Sequence, residues 1–167
     1  MQLLVVRHAI AEDRETFATT GRDDALRPLT AVGARKMKKA ARGLRQLVPT
    51  IDVLITSPLT RAAETAEIVR REYELAEPET SRALEPNAAL VNLLVALERY
   101  DQGVVAVVGH EPHLGRLVTY SVSGLERSGV ELKKGGVCLI DFDGPPKAGT
   151  GCLRWSVPPG VLRDLAG

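Results

Sequence analysis

The 167-residue chain has no apolar run approaching the roughly 18–20 residues that span a bilayer as a helix. Its start carries no basic segment ahead of an apolar one. Met1 runs at once into strand-like residues, so no secretory leader is expected and a cytoplasmic location is. Cysteine is scarce, with Cys138 and Cys152 alone, which fits a reducing compartment. The pair flanks a turn-rich segment, so a bridge is conceivable, but two reduced structural thiols are the favoured reading. Net charge is nearly absent, at +1, and the totals give no reason to expect nucleic acid or an anionic membrane as partner. One local cluster stands out: Arg35, Lys36, Lys38, Lys39, Arg42 and Arg45. On an amphipathic stretch it reads first as a solvated helix face and second as a binding patch. Internal repeats, low-complexity tracts and linkers are missing too, which leaves one domain over residues 1–167. Histidine occurs only three times.

What is present alternates strands with helices. Leu3 to Val6 form a short run apolar on both faces, as in a buried parallel strand. Residues 9–29 are polar and irregular and read as a surface loop. Thr30 is a good N-cap, and Met37, Ala40, Ala41, Leu44, Leu47 and Val48 follow at helical spacing until Pro49. Val53 to Thr56 form a second strand. Ser57-Pro58 turns into a helix reaching about Tyr73. Residues 76–88 read as a loop with one short strand near Ser81, followed by a helix from Leu90 to Leu97. Val104 to Val108 form a third strand, closed by Gly109, and Pro112 suits the first turn of a helix to about Val122. Val137 to Phe142 and Leu153 to Val157 read as two final strands joined as a hairpin. The pattern predicts one three-layer α/β domain, a mostly parallel sheet flanked by helices with an antiparallel extension.

Three strands end in chemically loaded residues. Arg7 and His8 follow the first, Ser57 and Arg61 the second, and Gly109 and His110 the third. Ligands of open α/β sheets gather beyond the carboxyl ends of the strands. Two guanidiniums and two imidazoles there make an anion site, because arginine offers phosphate oxygens a planar, permanently charged fork. The helices after Ser57 and Gly109 add backbone amides. A neutral imidazole is a competent nucleophile toward phosphorus, and a second, protonated one could stabilise the oxygens. The residues alone therefore suggest phosphoryl transfer through histidine. The segment "GHEPH" does not form a metal motif: His110 and His113 are three apart, not four, and no third ligand is evident. No metal or cofactor is expected. His113 reads as a surface residue or one that backs the site.

The same segments resemble the histidine phosphatase superfamily, which includes phosphoglycerate mutases and many small phosphatases. "LLVVRHAIAE" is similar to its signature, "LITSPLTRAAETAEIV" to its second motif and "VVGHEPHLGRLV" to its third. Within the superfamily, "LRPLTAVGARKMKKAA", "LEPNAAL" and "LKKGGVCLIDF" resemble the SixA group of phosphohistidine phosphatases. The resemblance covers nearly the whole chain and implies a phosphoglycerate mutase-like fold. It implies that His8 is the phosphorylated nucleophile, that Arg7 and Arg61 clamp the phosphoryl oxygens, and that His110 completes the pocket, with Ser57 counted among the substrate-binding residues. Glu85 falls near where many relatives place a general acid, although its surroundings match that motif poorly and a loop carboxylate is the alternative. Ala9 stands where the signature usually has glycine.

The implied activity is a metal-independent phosphatase working through a phosphohistidine intermediate. The substrate would be a phosphorylated protein, such as a histidine phosphotransfer domain in signal transduction. A small phosphoester is the alternative, and a non-catalytic phosphate-binding module a more distant one. Residues 10–28 and 76–89 are the only segments with room for a lid, and an open site favours a bulky substrate.

Overall fold

The computed structural model covers residues 1–167 and contains one six-stranded sheet. The strands are β1 (Gln2–Arg7), β2 (Val53–Thr56), β3 (Glu79–Thr80), β4 (Val104–Gly109), β5 (Val137–Asp141) and β6 (Cys152–Val157), ordered β3-β2-β4-β1-β5-β6. The first four in that order run parallel, and β5 and β6 extend the sheet antiparallel. The helices are α1 (Arg14–Ala18), α2 (Ala31–Leu47), α3 (Thr60–Tyr73), α4 (Leu90–Leu97), α5 (His113–Ser123) and α6 (Pro159–Leu165). None is long and apolar enough to cross a membrane.

The period-two alternation of the buried strands divides the core. Leu3 and Val5 of β1 point to one face with Val105 and Val107, where Leu90, Leu93, Leu94 and Leu97 of α4 and Leu114 and Leu117 of α5 cover them. Leu4 and Val6 point to the other face with Ala106 and Val108, covered by Met37, Ala40 and Leu44 of α2, Ala62, Ala66 and Val69 of α3, and Leu162 of α6. Continuous apolar strands are thus explained by helices on both sides. Full burial of each such side chain contributes about 1.5–3 kcal/mol.

The parallel part of the sheet and the antiparallel extension follow the sequence reading. Residues 9–29 do not form a plain loop. Asp13 caps α1 by accepting the Thr16 amide, 2.9 Å away, and Asp23 caps a 3₁₀ turn at Asp24–Leu26. An Ala11–Leu29 bridge closes the segment. With one apolar residue, Phe17, buried in α1, the segment has too little helical periodicity to be read from sequence. The helix α6 was also unforeseen. It has seven residues and one buried apolar side chain, Leu162. Cys138 is buried and Cys152 exposed, and both are free thiols. They lie on paired strands but opposite Ser156 and Asp141, not each other. Burial pushes the Cys138 thiol up to about 12.

Gly43 is what lets α6 dock. A Cβ on Gly43 would sit 1.7 Å from the Leu162 carbonyl oxygen. Backbone, not a flexible side chain, fills that space. Gly43→Ala is therefore expected to destabilise the protein by at least about 1–3 kcal/mol through forced separation of α2 and α6. Gly129→Ala, where a Cβ meets nothing within 4 Å, should stay within about 0.5 kcal/mol of the parent. Urea unfolding midpoints of the two variants check this.

Candidate active site

The parallel pairing of β1 with β4 sets Arg7 level with Gly109. The ladder then runs one step past the strands, with the His8 amide donating to the Gly109 carbonyl at 3.0 Å and the Ser57 amide to the Val108 carbonyl at 3.0 Å. His8, Ser57 and His110 consequently emerge side by side where β1, β2 and β4 end. The rings of His8 and His110 lie 5.1 Å apart, centroid to centroid. Helix α3 is tied to the same point. Thr65 Oγ1 accepts the Ala9 amide at 3.0 Å and donates to the Arg61 carbonyl at 2.7 Å. Below β1, the Gly135 amide reaches the carbonyls of both Arg7 and His8. Gly135 does so at φ +78°, a left-handed conformation that glycine adopts without a steric penalty.

His8, 6% exposed, places Nδ1 2.7 Å from the Ala9 carbonyl. A carbonyl only accepts, so Nδ1 carries the proton and Nε2 keeps its lone pair. His110 Nε2 lies 2.8 Å from Ser57 Oγ. Ser57 is fully buried; its hydroxyl orients His110 and also accepts the Leu59 amide at 3.3 Å. Ser57 does not line the pocket beside His8. Its contact is with His110, so the structure places it behind that ring rather than against the His8 pocket.

The cations around the two imidazoles are more numerous than the strand ends suggest. Arg7 Nη1 donates to the Leu132 carbonyl. Arg61, 2% exposed, donates to the Asp24 carbonyl at 3.0 Å and pairs with the Asp24 carboxylate at 3.3 Å. Asp24 also accepts from Arg27 Nε at 2.8 Å. Arg27 is itself 6% exposed, anchored on the Glu12 carbonyl at 2.7 Å, and lines the pocket of about 460 Å³ that contains Arg7, His8, Arg61 and His110. Sequence reasoning missed Arg27 because it sits in a polar loop far from any strand end. Burial opposes the Asp24 charge, but the hydrogen bond from Arg27 and the charge of Arg61 outweigh it and hold the carboxyl below its usual range.

Several buried polar atoms here have no partner: Arg7 Nε, Arg61 Nε and His110 Nδ1. Unpaired buried donors are costly, and all three atoms belong to the same pocket. An oxyanion supplies acceptors for the two guanidinium N–H groups, and for His110 Nδ1 once that nitrogen carries a proton. Neither imidazole is protonated in this free site. Burial, opposed by the Ala9 carbonyl and aided by Arg61, Arg7 and Arg27, lowers His8 to about 4. Burial, then the neighbouring His8 and Arg61, lowers His110 to about 3. The expectation of one protonated histidine therefore applies only once an anion arrives.

The structure also places Glu85 and His113. Glu85 lines an adjoining cavity of about 780 Å³ rather than the His8 pocket, and its carboxylate lies 4.0 Å from Arg82. His113 is not at the surface: it is fully buried in α5, and burial lowers its pKa, with Arg116 adding to the effect.

Residues 3–86 match the family model of the histidine phosphatase superfamily, branch 1. An uncharacterized protein of Picosynechococcus sp. is 35% identical over 140 residues, 82% of each chain. The structure of the protein histidine phosphatase SixA complexed with tungstate superposes with a TM-score of 0.83 at 24% identity, covering 97% of this chain and 99% of the other. A mutant phosphoserine phosphatase from Entamoeba histolytica, in complex with phosphoserine, superposes with a TM-score of 0.69 at 14% identity over 96% of this chain and 98% of the other.

A titration tests the electrostatics. In NMR spectra of the free protein, His8 and His110 should remain neutral down to about pH 4 and 3 respectively. Inorganic phosphate should raise at least one of the two, since an adjacent anion favours the imidazolium. Both folded pKa values lie below the unfolded 6.5, so the unfolded chain takes up protons first as pH falls. Stability present above pH 6.5 is therefore lost on acidification toward pH 3–4, and phosphate should reduce that loss. A free-protein titration of either residue near 6.5 contradicts this account.

Proposed function

Since the chain belongs to the histidine phosphatase superfamily, we propose that it is a metal-independent phosphatase acting on protein phosphohistidine, with His8 as the nucleophile. The observation that carries the mechanism is the Nδ1 contact of His8 to the Ala9 carbonyl, which leaves Nε2 as the free lone pair in a pocket of unpaired donors. In the proposed first step Nε2 bonds to phosphorus, the bond from phosphorus to the substrate imidazole nitrogen breaks, and that nitrogen takes the electron pair. Water then attacks the phosphoryl group on His8, the P–Nε2 bond breaks, and inorganic phosphate leaves. Arg7, Arg61 and Arg27 spread positive charge over the oxygens. His110 takes up a proton as negative charge arrives and donates through Nδ1. Preorganised donors of this kind are worth about 10²–10³-fold each.

The preference for phosphohistidine rests on the acids. Asp13 and Glu111 reach the His8 pocket, but Asp13 caps α1 and Glu111 accepts the Leu132 and Gly115 amides at 2.8 and 3.1 Å. That leaves the exposed Glu12 at the rim and Glu85 in the next cavity. An alkoxide leaving group depends on a well-placed proton donor, typically for about 10²–10⁴-fold. An imidazole leaves already protonated on its other nitrogen. The likeness in fold to SixA, and the tungstate bound by that protein, support the same reading.

Two outcomes test it. Protein mixed with a phosphohistidine substrate and quenched in alkali should carry acid-labile phosphate, absent from a folded His8→Ala variant, and turnover should survive a strong chelator. Loss of turnover on chelation, restored by a divalent ion, overturns the assignment of charge to the arginines. Separately, Glu85→Gln and Glu12→Gln should each leave phosphohistidine turnover within about threefold while slowing an alkyl phosphate more. A loss of about 10²-fold on both substrates would make the altered carboxylate a pocket-forming residue on which either reaction depends, and would overturn the argument from leaving-group protonation.

A further inference from the structure

Against the His8 pocket lies a second cavity of about 480 Å³ that shares Arg7 and Lys134 with it. Its wall adds Lys36, Lys133 and Arg163, against a single carboxylate, Glu131. That carboxylate is 82% exposed and pairs with Arg7 at 3.7 Å. No ion pair engages Lys36, Lys133, Lys134 or Arg163.

The cationic cluster of α2 divides at this cavity. Arg42 and Arg45 lean toward α3, where the Glu72 carboxylate lies 3.4 Å from Arg42 Nε and the Glu72 carbonyl accepts from Arg45 at 2.6 Å. Lys36 and Lys39, three residues apart and so on one helix flank, remain exposed and unpaired on the side of Gly43 and α6. Four elements far apart in sequence thus build one positive surface running from the nucleophile outward: the end of β1, the helix α2, the turn before β5, and α6. In a chain of net charge +1, that concentration is local rather than a general excess.

We propose that this surface docks the acidic face of the phosphorylated protein whose phosphohistidine enters the His8 pocket. The inference rests on the phosphohistidine reading and extends it to partner choice. Continuity with the pocket requires that the occupant also carry the phosphoryl group, which favours a folded substrate over a membrane. No aromatic side chain lines the cavity, and single-stranded nucleic acid binding draws on aromatic stacking. Complementary charge acts mainly on encounter rate, so the effect belongs in kcat/KM and fades with salt.

The test compares three substrates: free phosphohistidine, and an acidic and a basic protein each phosphorylated on histidine with phosphoramidate. The acidic protein should show a kcat/KM at least about tenfold above the basic one at low salt. The ratio should collapse between about 0.05 and 0.5 M salt as screening shortens. The triple variant Lys36→Glu/Lys133→Glu/Arg163→Glu should lose the preference and keep its rate on free phosphohistidine. The Gln version of the same three sites provides a milder change with the same expected direction. Hydrolysis of all three substrates without charge preference in the wild type overturns the docking surface and leaves the phosphohistidine reading intact. Failure on all three, free phosphohistidine included, overturns both. Salt-sensitive binding of duplex RNA or phosphatidylserine vesicles that the triple variant loses, and that the acidic protein does not compete away, overturns the surface in favour of that ligand.

Discussion

Everything at the site hangs on the register between β1 and β4. With Arg7 opposite Gly109, the next residue of each strand is a histidine, and the two rings share one space. A slip of one residue would turn Val5 and Leu4 to the wrong layers and point His8 into a core. The apolar alternation that divides the two layers of helices is therefore also what aims the imidazoles. Fold stability and site geometry come from the same pairing.

That placement carries an electrostatic cost. Arg7, Arg27 and Arg61 are withdrawn from water around two imidazoles, with Asp24 holding two of the three arginines. Burial first, and the neighbouring positive charge second, keeps both histidines neutral, and the guanidiniums are left with donors that lack acceptors. A tetrahedral oxyanion relieves both at once. One property governs what the site attracts: the pocket is short of negative charge. Thr65, Gly135 and Ser57 hold the segments that carry these groups from behind through hydrogen bonds.

Much of the molecule was readable in its sequence. Continuous apolar runs announced buried strands, and helical spacing announced α2, α3, α4 and α5. The strand ends point to Arg7, His8, Arg61 and His110 from sequence alone. What escaped shares a cause. The seven residues of α6 bury only Leu162, so its packing against Gly43 leaves almost no periodic trace. Arg27 and Lys134 reach the pocket through turns whose direction depends on distant partners. Ser57 and His113 are fully buried by what packs over them, and neither motif spells that out.

The sequence by itself determined the order of elements, the two faces of the sheet and the family, because each is written in local period and motif. Only the tertiary structure decided which cations surround His8, which of its nitrogens carries the proton, and that the basic cluster of α2 divides between α3 and the cavity beside the pocket. Those depend on contacts between residues distant in the chain, such as Arg7 and Leu132, 125 positions apart. Through-space geometry of that kind leaves no periodic mark along the chain.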